Sequence, residues 1–221
     1  MHRSPRSPLR RYLITGVLLA ALAIAMVWNT KFLTPAEVEA LSPEQFDPAS
    51  TAEELLSTVQ SDQLGEANDL GEVAQALDDA PEEAAAEFDA LTPSEGIEAY
   101  AVEVTGTVEE GTEENLTLAG DGPLADRTVV IPLGNAIDGN LVRDVSGFKF
   151  GDAPGQTEYQ QVGSELSTLL RSTAQEAVGN DPAALEGEEI TVRGLLRQVG
   201  TDGDGGERPL IIQPLEVEAG Q

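Results

Sequence analysis

Forty of the 221 residues are Asp or Glu, and these carboxylates are the side chains with the most chemical capacity. Paired carboxylates can hydrolyse glycosidic bonds, one as acid and one as base or nucleophile. Such a pair needs an apolar setting that lifts one pKa. No two acidic residues of this sequence stand out in such a setting. There is no Cys, which removes thiolate nucleophiles, zinc–thiolate sites, disulfides and an acylated cysteine. The one His is His2, so a Ser-His-Asp triad is excluded from the rest of the chain. Asp202 and Asp204 have the alternate spacing of a calcium loop. The third ligand position is Gly206 and the twelfth is Gln213, where that loop requires a Glu. The two are poor metal candidates, and the tract reads as a hairpin turn. No cofactor is expected.

Charge divides the chain. Arg3, Arg6, Arg10 and Arg11 precede an uncharged run from Tyr12 to Thr30. From Thr34 onward 7 Lys/Arg face 40 Asp/Glu, a net charge of −33. That field repels phosphates and could attract cations or a basic protein surface, but a solvated acidic coat is the simpler explanation. As a helix, residues 12–30 would be about 28 Å long, close to the thickness of a bilayer core. Arg10 and Arg11 on one side and Trp28 at the other end match a single-pass anchor with a cytoplasmic N-terminus. The rival is an export signal cleaved after Ala25, since Ala23-Ile24-Ala25 fits a peptidase site. Either reading exports the acidic part.

The pattern predicts a basic tail (1–11), the anchor (12–30), a helical region (31–95) and a sheet domain (96–221). Capping signals at Thr34, Ser50, Asp69 and Ala80-Pro81 open four short amphipathic helices, the last reaching Leu91. From Tyr100 the period changes to two: Tyr100, Val102, Val104 and Val108 alternate with polar or small residues. Further strands are predicted over Glu114–Ala119, Arg127–Leu133, Glu189–Val199 and Leu210–Glu218. A Gly-rich loop holding Gly134, Gly139 and Gly147 precedes a helix from Thr157, capped by Thr157 and Gln160, to Val178. Three strands, a helix and two strands is the order of a small five-stranded OB-like β-barrel. The expected class is α+β, with a transmembrane helix, a helical region and that barrel.

Two segments, Leu141-Val142-Arg143-Asp144 to Gly147-Phe148-Lys149-Phe150 and Gln156 to Leu166, carry a resemblance to a known family. With Asn29 to Pro48 and the Gly187–Gly194 strand, they make the chain similar to the bacterial predicted periplasmic lipoproteins of domain-of-unknown-function family 2291. The resemblance implies an exported, membrane-attached protein with sugar ABC-transporter components as neighbours. It carries over no catalytic residue. It marks Arg143, Glu158, Tyr159, Gln160, Val162 and Gly163 as the candidate binding segment. The departure is the acylated cysteine of lipoprotein members, which is missing here. Glu158 and Tyr159 have a plainer reading too: a Glu complementing the helix dipole and a Tyr packed beneath the barrel.

The expected function is a non-enzymatic, membrane-anchored accessory or binding protein beside a sugar ABC-transport system. Its expected partners are the membrane, through the N-terminal helix, and transporter components or a solute-binding protein. Nucleic acid is not expected, because the strands offer only Arg127, Arg193 and Arg197 among many carboxylates. The alternatives are a carboxylate enzyme acting on envelope glycans and an envelope-structural protein.

Overall fold

The computed structural model describes residues 8–29, 46–199 and 208–219. The chain forms two units, Met1–Gln45 and Phe46–Gln221. The first holds α1 (Pro8–Asn29). Among the described residues no helix is long and apolar enough to cross a membrane. The transmembrane anchor expected over 12–30 is corrected on that ground. The side chains of Arg10, Arg11 and Trp28 lie outside those described, as does the helix expected from Thr34.

In the second unit α2 (Pro48–Gln63) starts two residues before the predicted Ser50 signal. Asp47 is its cap, accepting from Ala49 N at 3.1 Å and Ser50 Oγ at 2.7 Å. Asp69 caps α3 (Leu70–Asp79) as the sequence indicates, accepting from Glu72 N. α4 (Pro81–Glu87) ends earlier than expected. Asp89 turns the backbone through φ 48°, and Leu91 enters a strand instead.

The strands are β1 (Asn68–Asp69), β2 (Leu91–Ser94), β3 (Ile97–Gly111), β4 (Asn115–Leu118), β5 (Val129–Pro132), β6 (Glu189–Val199) and β7 (Leu210–Ala219). They form one seven-stranded sheet in the order β1-β3-β4-β5-β7-β6, with β2 on β3 and an added β3–β6 pairing. This corrects the expected five-stranded barrel. β1 and β2 are too short to show a period of two, and both attach to the 15-residue β3. The predicted alternation holds within β3: Tyr100, Val102, Val104 and Val108 are buried, while Thr105 and Thr107 are exposed. On the outer face, Arg193 of β6 lies between Glu103 of β3 and Glu216 of β7 in the strand register. It donates to Glu103 and, at 3.1 Å, to Glu216, with Glu218 3.7 Å away.

α5 (Gly139–Val145) replaces the middle of the predicted Gly-rich loop. α6 (Gln156–Val178) follows it. Gly155, with no side-chain bond, stands at the N-cap of α6 in place of the predicted Thr157 cap. Gly179, at φ 80°, stops the helix as the sequence suggests. Val162, Leu166, Leu170, Ala174 and Val178 form its buried stripe. α6 packs on α2, α5 and β7 and closes the core.

Tyr100 is fully buried and donates its hydroxyl to Glu98 Oε2 at 2.7 Å. Burial first, and then the bond and charge of Glu98, push its pKa well above the ordinary tyrosine value. A neutral form favoured by folding contributes stability that is complete below the unfolded pKa of about 10. That stability is lost as pH rises beyond it. Unfolding titrations between pH 8 and 11 are expected to show an alkaline fall in stability that shrinks in Tyr100→Phe. An unchanged alkaline slope in the variant would show that Tyr100 is not its source.

Candidate functional site

α5 and α6 meet through two glycines. A Cβ on Gly139 would overlap the Gly163 carbonyl oxygen and the Ser167 nitrogen. A Cβ on Gly163 would overlap Asn140 Oδ1 and sit 3.2 Å from Arg143 Nη1. The bare backbones allow an approach that any side chain would prevent. Gly139 N donates to Ser167 Oγ at 2.9 Å across the same contact.

That approach puts the Arg143 guanidinium against the first turn of α6. Nε and Nη2 donate to Asp144 Oδ1 at 2.9 and 2.8 Å. Nη1 donates to the Tyr159 carbonyl at 3.3 Å. The guanidinium carbon lies 3.9 Å from the Tyr159 ring centroid, a cation–π contact. Tyr159 Oη reaches the same Asp144 oxygen at 3.3 Å. Burial is the main cause that raises the Tyr159 pKa; the Arg143 charge opposes it and the Asp144 carboxylate adds to it.

Aromatic rings surround this group. Phe148 stacks on Tyr159 at 6.0 Å and on Phe46 at 6.4 Å. Phe150 meets Tyr159 edge-on at 5.8 Å and is itself 57% exposed. A buried cation on an aromatic base, with one ring offered to solvent, is suited to holding a partner surface.

Of the residues that the sequence singled out, the fold joins Arg143, Tyr159 and Gly163. Val162 belongs to the core. Glu158 lies half-buried in the first turn of α6, and Gln160 points to solvent. Tyr159 joins the Phe148 stack and not the packing beneath the sheet that the sequence suggested. Asp202 and Asp204 lie outside the described residues. Among the described residues no three His, Cys, Asp or Glu converge as metal ligands would. Arg127, Arg193 and Arg197 each face a carboxylate: Asp78 at 2.8 Å, Glu103 and Glu216, and Asp138 at 3.7 Å. Sequence reasoning passed over Asp144, Phe148 and Phe150 as individual residues. The signal was available in the density of aromatics around a lone Arg-Asp pair.

The fold is similar to that of an OB-fold protein from Thermotoga maritima, with a TM-score of 0.60 and 21% identity over 80% of this chain and 100% of that one. No functionally curated protein matches the chain. Residues 17–218 match the family model described as predicted periplasmic lipoprotein (DUF2291), and the chain belongs to that family.

Proposed function

We propose that this protein is a non-enzymatic accessory module of the cell envelope that docks on a protein partner through the α5–α6 corner. The family is that of an extracytoplasmic, membrane-associated protein. The observation that carries the proposal is the exposed Phe150 ring, backed by Tyr159, Phe148 and the enclosed Arg143. Aromatic and Arg side chains on a rigid base are the usual anchors of protein interfaces. The acidic surface favours a partner with a basic face. Components of a sugar ABC-transport system are the partner class, which is what the family resemblance implies.

The test is a crosslinked pull-down of the full chain from native membranes, comparing wild type with Phe150→Ala. Transporter permease or solute-binding subunits are expected with wild type. Loss of an anchor costs about 2 kcal/mol, so recovery by the variant should fall roughly 30-fold. Phe150 is exposed, so the variant's thermal stability should match wild type. Equal recovery by both proteins would move the docking surface elsewhere, and recovery of no transporter subunit would remove this partner class.

A further inference from the structure

A separate cavity of about 120 Å³ opens between α5, the β2–β3 turn and the end of β6. Ser94, Ile97, Asp138, Leu141, Asp144 and Arg197 are among its lining residues. Its charges are mixed. Arg197 Nη1 stands 3.7 Å from Asp138 Oδ2, too far for a hydrogen bond. Among the described residues none of its N–H groups donates a hydrogen bond, although a guanidinium has five to give. Asp144 spends Oδ1 on Arg143 and Tyr159, and Asp138 spends Oδ1 on Asn140. The second oxygen of each carboxylate accepts no hydrogen bond among the described residues. Ile97 and Leu141 supply an apolar wall.

One lining residue, Asp138, is held through its backbone. Gln213 Oε1 accepts the Asp138 backbone N–H at 2.7 Å, which sets the start of α5. The Gln213 side chain is buried outside the cavity's lining, and its Nε2 has no partner among the described residues.

We propose that this cavity binds a small zwitterion of the α-amino-acid class. Its carboxylate lies on Arg197 in place of the 3.7 Å Asp138 ion pair, its ammonium on the Oδ2 atoms of Asp138 and Asp144, and its side chain on Ile97 and Leu141. The charges decide between classes. A simple anion meets two carboxylates and a domain whose net charge is −33 from Thr34 onward. A simple cation meets the Arg197 guanidinium. Only a molecule with both signs a few ångströms apart satisfies both ends, and the cavity is small enough to exclude much larger solutes. The site shares Asp144 with the α5–α6 corner but not Phe150, so Phe150→Ala and Arg197→Gln test the two proposals separately.

The experiment is calorimetric titration of the full chain with L-alanine, N-acetyl-alanine, alanine methyl ester and glycerol. L-Alanine is expected to bind saturably. Each derivative with one end blocked should bind about tenfold more weakly or worse, and so should L-alanine to Arg197→Gln. Arg197 is 43% exposed and its one ion pair is a loose one at 3.7 Å, so the variant should unfold close to the wild-type temperature. If it does not, the Arg197 Nε–H resonance of the wild-type chain provides the readout: it should shift as L-alanine is added. No saturation by concentrations on the order of 100 mM would overturn the proposal. Equal binding of the blocked derivatives, binding of glycerol alone, or a silent Arg197 resonance would do so as well.

Discussion

Arg143→Ala is expected to destabilise the compact unit by about 2–4 kcal/mol, seen as a lower urea midpoint with an unchanged slope. The guanidinium is 8% exposed and makes three hydrogen bonds, two of them to Asp144. Its loss leaves a carboxylate without a counter-ion. Asp144 is 30% exposed, so water recovers part of that cost, and the figure stays below that of a fully buried pair. The rest comes from the Tyr159 ring, which loses its cation and part of its packing. Arg143→Met, which restores the stem without the charge, should recover the packing share only. Asp144→Asn in the Arg143→Ala background should cost much less than either change alone, because the unpaired charge is then absent. Additive losses in that cycle would mean that the two residues are not coupled, contrary to the geometry.

Gly139→Ala is the second large effect, about 1–3 kcal/mol and more if α5 cannot shift. The added methyl would meet backbone atoms of Gly163 and Ser167, and the Leu166 Cβ would lie 2.8 Å away. Backbone cannot rotate aside as a side chain can. Relief requires α5 to move off α6, which would stretch the Gly139–Ser167 and Asp138–Gln213 hydrogen bonds together. For a unit of this size each kcal/mol corresponds to roughly 2–4 °C in Tm. Thermal unfolding without change would mean that the helices separate freely, and the Arg143–Tyr159 contact would then owe nothing to these glycines.

Much of this architecture was legible in the sequence, for reasons that differ from element to element. β3 announced itself because its buried valines alternate with polar residues in a period of two, which no helix would bury on one face. α6 was legible from its apolar stripe and from Gly179, although not from its start, where Gly155 offers no side-chain signal. α5 was not legible. Its seven residues include a glycine that packing requires and that propensity reads as a breaker. The membrane span was inferred from an uncharged run, and the described part of α1 does not bear that inference. The candidate site was half legible. The sequence named Arg143 and Tyr159, but their pairing depends on a crossing of two helices that no local pattern encodes. Asp144 looked like one more acid among forty until its oxygen was seen to collect three donors.

The long ladder between β3 and β6 has a consequence for the order of events in making this protein. Ile97 pairs with Val199 and Thr107 with Glu189, so every rung joins residues that leave the ribosome far apart in time. Closing such a span carries a large entropic cost before any rung forms. A chain synthesised or threaded only as far as α6 holds a 15-residue strand whose longest partner does not yet exist. Folding of the sheet is therefore a late event involving the whole chain. Until Glu189 and beyond arrive, β3 presents an open edge that other chains can pair with. The abundance of carboxylates on and around that edge keeps such chains apart during the wait.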